Sequence, residues 1–288
     1  MKLSIITINY NNSKGLKWTL NSLLNQSSLN FEHIIVDGAS TDDSVNIIQE
    51  YQQSLASNSS LTLRLKWISE PDTGIYNAMN KGLSMANGEY ILMLNSGDYF
   101  VDNQVIKNVI PLLDGTDIIQ GNIIEDNMYR NRGYGKSDID FFEVMKGRFL
   151  HQASFCKKDL FDKYGFFDES YKIIGDTKFF MISLGIKNAT FKYVDIDVTN
   201  YDMNGISSGV NSKWLDLQIS ENERLRKELF SERLNVYFER NAKKIKLYDK
   251  LHRCKLMWYI VMMMIHIYDM FSVEITDVKR EKLSVIKK

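Results

Sequence analysis

Several apolar runs in this sequence end on oxygen-bearing side chains, and those ends are where chemistry could sit. ILMLNSGDYF (91–100) runs from a buried-strand pattern into Asn95 and Asp98. FEHIIVD (31–37) ends on Asp37, LTLRLKWIS (61–69) runs on into Asp72, and LSIITIN (3–9) brings Thr7 and Asn9 to Tyr10. A carboxylate at such an end can hold a divalent cation, and it can equally be an ordinary turn residue. Asp176 opens an apolar helix pattern containing Phe179, Phe180, Ile182 and Leu184. It reads either as a general base or as a helix N-terminal cap. His151 heads FLHQASF and is a second candidate, against the plain alternative of a satisfied structural histidine; His33, inside a strand, reads as structural.

The elements that must position these residues follow from periodicity. Leu16, Leu20, Leu23 and Leu24 recur with helical spacing, as do Val45, Ile48 and Tyr51 after a GASTDDS turn in which Ser40 and Asp43 are spaced as a capping box. GIYNAMNKGLSMA (74–86) reads as a helix with Ile75, Met79, Leu83 and Ala86 on its buried stripe. Asn77, Asn80 and Lys81 then share another face at i, i+3 and i+4, which is either a ligand wall or a solvated surface. Gly74 is read as allowing close backbone approach. Strands alternating with helices predict an α/β fold with a mostly parallel sheet and ligands beyond the carboxyl ends of its strands. Past residue 100 the pattern is less regular: a helix at NQVIKNVIPLL, a hairpin through NMYRNRGYG, strand then helix in FLHQASFCKKDLFDKYG, and a long charged helix from Trp214 to Arg240.

Composition excludes several classes. Lys plus Arg equals Asp plus Glu at 36 each, so the chain has no overall bias toward nucleic acid. The two cysteines lack zinc spacing, and the four histidines form no cluster. No Gly-x-Gly-x-x-Gly and no P-loop pattern occurs, so any phosphate must be met by metal, helix termini or isolated side chains. The start, MKLSIITINY, enters a strand at once and does not read as a signal peptide; a cytoplasmic setting is expected.

Taken together, SIITINYNNSKG, IIVDGASTDDS, SEPDTGIYNAMNKG and GEYILMLNSGD, followed by HQASFCKKDLFDKYGFFDESYKIIGDTKFF, resemble the family 2 glycosyltransferases of GT-A fold. They are most similar to bacterial enzymes that build capsular, exopolysaccharide or lipopolysaccharide sugars. The resemblance covers roughly residues 3 to 205. It implies a Rossmann-like, mostly parallel central sheet flanked by helices, and metal-dependent, inverting transfer from a nucleotide-sugar, UDP-linked by preference, to a glycan or lipid-linked acceptor. In such enzymes the fourth strand end carries several acids. Here Asn95 and Gly97 stand in two of those places and Asp98 keeps the last, so Asp98 is implied as the ligand of Mn²⁺ or Mg²⁺. Asp37 is implied to accept a hydrogen bond from uracil, with Thr7, Asn9 and Tyr10 beside the base. Asp72, Asn77, Asn80 and Lys81 would face ribose, diphosphate and sugar, and His151 the donor or acceptor pocket. Asp176 is implied as the catalytic base, with Gly175 in place of a neighbouring acid and with Asp168 and Glu169 as rivals.

The expected division is 1–210 for this domain, split into a nucleotide-binding half (1–100) and an acceptor half (101–210), and 211–288 for a helical extension. Residues 241–256 carry six basic residues against one acid, and 256–271 are apolar but interrupted by His266 and Asp269. That pair of segments suits either the inner face of the plasma membrane or a packed helix, including one in a homodimer. Two other functions fit the same acids: a nucleotide-sugar or glycan-binding protein without turnover, and a sugar-phosphate nucleotidyltransferase, whose Gly-rich phosphate loop NYNNSKG matches poorly.

Overall fold

The computed structural model describes residues 1–57, 63–125, 127–145, 147–202, 212–232, 234–236 and 263. The chain falls into two compact units, Met1–Glu223 and Arg224–Lys288. The expected boundary between residues 210 and 211 lies outside the described residues, and so do the 241–271 segments except for Met263. Among the described residues no helix is long and apolar enough to cross a membrane.

Four parallel strands form one half of the sheet: β1 (Leu3–Asn9), β2 (Glu32–Asp37), β3 (Arg64–Ser69) and β4 (Tyr90–Met93), in the order β3-β2-β1-β4. β2 and β4 are buried at every position, as near-continuous apolar runs in a covered parallel sheet should be, while edge strand β3 is not. Register sets the strand ends in line: Asn9 pairs with Asp37 and Asp37 with Ser69. The polar residues that follow each strand therefore emerge along one rim.

The other half is mixed, as the order continues β4-β8-β6-β9-β5. β5 (Tyr99–Phe100), β6 (Ile118–Glu125), β7 (Tyr129–Asn131), β8 (Ser154–Lys157) and β9 (Phe191–Tyr201) make it up. β8 runs antiparallel to both β4 and β6, β6 and β9 are parallel, and β7 folds back on β6 as the hairpin expected at NMYRNRGYG. The eleven-residue β9, which no sequence reading above singled out, carries the chain back to the rim at Tyr201.

The helices are α1 (Ser13–Leu24), α2 (Ser44–Ser57), α3 (Ile75–Met85), α4 (Val105–Val109), α5 (Phe141–Val144), α6 (Lys158–Tyr164), α7 (Gly175–Phe180) and α8 (Ser212–Leu229). α3 packs on β1 and β2, and α1 packs on α2 and β5. Three sequence expectations need correcting. The Ser40–Asp43 capping box does not form, because Ser40 bonds to Asp37 and to the Asn11 amide, and the Ser44 amide at the start of α2 is taken by Asp42 instead. The stripe of α3 includes buried Tyr76 and Asn80, while Ile75 is half-buried. Gly74 is required by its φ of +139°, not by crowding, since a Cβ there would meet nothing within 4 Å.

Candidate functional site

A cavity of about 920 Å³ opens beyond the carboxyl ends of β1 and β4. Asn9, Tyr10, Asp72, Asn95, Asp98, His151 and Asp176 line it, as does Tyr76. Thr7, Asp37, Asn77, Asn80 and Lys81 do not.

The reason differs for each. Asp37 is fully buried and its carboxylate already accepts four hydrogen bonds, from Asn9 Nδ2, the Ser40 hydroxyl, the Ser40 amide and Ser69 Oγ. Burial works to raise its pKa, and those donors prevail and lower it, so it stays ionised behind the rim. Thr7 donates to the Leu94 carbonyl and sits 3.0 Å from His33 Nε2. His33 itself is driven down to about 3 by burial and is a neutral core residue, as its position in β2 suggested. Asn77 and Asn80 both donate to Glu169, and Asn80 also exchanges hydrogen bonds with the Phe167 backbone, so this face of α3 clasps the 167–169 loop. Lys81 pairs with Glu70 and the Pro71 carbonyl. Of the rival acids, Glu169 is held by that clasp and Asp168 is paired with Lys178 at 2.7 Å.

Within the cavity, two carboxylates have opposite electrostatics. Asp98 is only 4% exposed, and its Oδ1 accepts from the Asp202 amide at 3.0 Å. Burial pushes its pKa up to about 7, and the nearby Asp202 charge works in the same direction against the relief from His151. Asp176 is buried too, which alone would raise it, but His151, the Thr177 amide and Tyr76 prevail and lower it. His151 Nδ1 donates to Asp176 Oδ2 at 2.8 Å, which assigns the proton to Nδ1 because a carboxylate only accepts. Burial would lower His151, and the hydrogen bond and charge of Asp176 raise it instead. The Tyr76 hydroxyl lies 3.0 Å from Asp176 Oδ1 and 2.6 Å from the Ile173 carbonyl, so one proton is shared between them. His151 Nε2 looks toward Asn95 Nδ2 at 3.4 Å.

The two glycines that stand where the resemblance has acids are both covered by other side chains. A Cβ on Gly97 would come within 2.6 Å of Asp202 Oδ2, and Gly97 has a φ of +106° besides. A Cβ on Gly175 would meet the Tyr76 ring at 2.8 Å. Asp202, one residue past β9, thus brings a carboxylate into the space of a missing acid. Sequence reasoning missed Asp202, Tyr76 and the cavity-lining Lys172; Asp195 and Asp197 alternate along β9, but Asp202 falls out of that phase and carries no local signal.

A Rossmann-like α/β sheet whose acids gather beyond its parallel strand ends is the architecture of GT-A glycosyltransferases. The family model described as glycosyl transferase family 2 matches residues 4–168, more than half of the sequence, and the chain belongs to that family. Among curated proteins it is 27% identical over 214 residues to a PGL/p-HBAD biosynthesis glycosyltransferase of Mycobacterium bovis, covering 73% of this chain and 80% of that protein. It is 29% identical over 213 residues to an uncharacterized glycosyltransferase of Mycobacterium tuberculosis, covering 72% and 77%. Two solved structures share the fold. One is S. aureus TarS 1–349 in complex with UDP-GlcNAc, with a TM-score of 0.59, 21% identity, and coverage of 75% of this chain and 64% of that one. The other is the mannosyltransferase PcManGT of Pyrobaculum calidifontis in complex with GDP-Man and Mn²⁺, with a TM-score of 0.55, 17% identity, and coverage of 69% and 56%. The chain therefore spans under two thirds of the length of these structural neighbours.

Proposed function

We propose that this family 2 glycosyltransferase moves a sugar from a UDP-sugar to a hydroxyl of a glycan or lipid-linked acceptor, with inversion, in the building of a bacterial surface polysaccharide. The observation that carries the reading is the pairing in one cavity of Asp176, kept ionised by His151 and Tyr76, with Asp98, a buried carboxylate short of donors. Asp176 is suited to accept the acceptor's proton as its oxygen attacks the anomeric carbon. His151 holds that carboxylate from one side and Tyr76 from the other, so its orientation is set before an acceptor arrives. Tyr10, 66% exposed at the rim, would lie against the base, and Asn9 is held near it by Asp37. Asp37 acts in this reading through Asn9 and Ser40.

Among the described residues no three acids or histidines gather closely enough to hold a metal alone, so a divalent cation here would be shared between one or two carboxylates and the phosphate oxygens. Asp72, Asp98, Asp176 and Asp202 line the cavity with Lys172 as the one lysine among the described residues, so a diphosphate entering alone would be repelled by that set. Burial holds the Asp98 pKa up to about 7, and a hard cation beside the carboxylate would offset that cost. Asp98 would hold Mn²⁺ or Mg²⁺, with Asp202 beside it, and the ion would neutralise charge on the departing nucleoside diphosphate. The likeness to structures bound to UDP-GlcNAc, and to GDP-Man with Mn²⁺, supports this class of donor and cofactor. The basic run at 241–256 supports a peripheral place at an anionic membrane surface, where a lipid-linked acceptor would be met.

The test is UDP release from a panel of UDP-sugars with Mn²⁺, Mg²⁺ or EDTA. Metal-dependent release from one sugar, lost in Asp98→Ala, supports the donor and the cation together. No UDP binding under any metal condition sinks the nucleotide assignment.

A further inference from the structure

Glu221 lies on the part of α8 inside the first unit and is only 5% exposed, yet it takes no place in the cavity lining. Its carboxylate is committed to three successive backbone amides. Lys172 N–H donates to Oε1 at 2.6 Å, and Ile173 and Ile174 N–H donate to Oε2 at 2.9 and 3.2 Å. These residues lead into α7, whose N-cap, Ile174, provides no side-chain cap of its own. α7 runs on directly into a π-helical stretch, Met181–Ile186, and its first open amide, the Ile174 N–H, is one of the three that Glu221 holds. Here a charge-assisted cap comes from a helix at least 47 residues further along the chain.

The capped segment touches the site at every step. Lys172 and Ile173 line the cavity, the Ile173 carbonyl accepts from Tyr76, and Asp176 follows in the first turn of α7. We infer that Glu221 is a positioning residue for the transfer reaction: it fixes residues 172–174 and through them the place of Asp176. α8 lies beyond the family-matched 4–168 and is on this inference part of the working apparatus. The inference rests on Asp176 acting as the base.

The experiment compares full-length wild type, Glu221→Gln, Asp176→Asn and the double variant, by amide hydrogen exchange and by UDP release from the UDP-sugar that wild type cleaves. In Glu221→Gln an amide N–H₂ faces backbone N–H donors. The amides of 172–178 should then exchange at least ~10-fold faster while β1 to β4 keep their protection. The kcat should fall on the order of 10²-fold with the donor KM within about twofold, as expected for misplacement of a reacting group. The double variant should be no slower than Asp176→Asn, because Glu221 acts only through Asp176. Losses that add in the double variant, or exchange that does not change, overturn the inference. If Glu221→Gln does not fold, Glu221→Asp withdraws the carboxylate by one methylene and is judged by the same readings. A wild type that releases UDP from no sugar sinks the functional reading instead, and the exchange rates at 172–178 still decide whether Glu221 braces the segment.

Discussion

The two sides of the cavity handle polar groups in opposite ways. On the parallel-strand side, Asp37, Asn9, Ser40 and Ser69 satisfy one another, and Asn77, Asn80 and Lys81 are bound to Glu169, the Phe167 backbone and Glu70. Where the β4–β5 turn and α7 border the cavity, Asp98 is left short of donors and Asp176 lines the space as a charged group. The first side is a finished frame that a ligand fits against. The second stores the electrostatic imbalance that a cation and a reacting hydroxyl would use. An acid at a strand end is therefore no guide to reactivity until its hydrogen bonds have been counted.

That contrast can be broken most sharply at Asp176. Asp176→Asn should cost about 10²- to 10⁴-fold in transfer, the usual worth of a positioned base, with UDP affinity unchanged by titration calorimetry. A loss of UDP binding instead would place Asp176 in the donor frame.

Asp98 gives the next effect. Its folded pKa is raised from 3.8 to about 7, so the stability it contributes is present below its unfolded pKa and is lost as pH rises through about 7. In chelated protein, Asp98→Asn should match wild type near pH 4 and exceed it at pH 8 by up to about 4 kcal/mol in denaturant unfolding. Mn²⁺ with UDP should then stabilise wild type and leave the variant unmoved. Equal stability of the two chains at pH 8 would remove the imbalance from this side.

Gly175→Ala should cost about 1–3 kcal/mol, because the new Cβ meets the Tyr76 ring at 2.8 Å and the ring, buried and tied to Ile173 and Asp176, has to shift. Transfer should fall with it, since Tyr76 would leave Asp176. Thermal unfolding checks the first effect and product formation the second. The smallest effect belongs to the frame: Lys81→Ala removes a partly exposed pair with Glu70 and should change stability by less than about 1 kcal/mol, with UDP affinity unaltered. A drop in UDP affinity there would return Lys81 to the diphosphate.

The parallel half was legible because each strand end is marked by a local pattern, and ILMLNSGD, IIVD and LTLRLKWIS needed only periodicity to be placed. Asp98 and Asp72 were singled out for the same reason, His151 and Asp176 were given their site roles by the family resemblance, and all four line the cavity. Asn77, Asn80 and Lys81 show the limit of that method. Helical spacing brings Asn77, Asn80 and Lys81 together, but says nothing of the burial of Asn80 or of Glu169, about 90 residues away, which takes the two asparagines. Asp202 and Tyr76 escaped notice because each matters through a partner over 95 positions distant, Asp98 and Asp176 respectively. Side-chain satisfaction is a tertiary property, and no local period encodes it.

The cap on α7 also has a consequence in time. Asp176 leaves the ribosome 45 residues ahead of Glu221, and at roughly 5–20 residues per second the interval is a few seconds. During it the parallel strands and α7 can already exist, while the brace that settles Asp176 does not. A nascent chain of this protein would thus hold its donor frame before it holds a competent base, and would come into working order from its late-made helix inward.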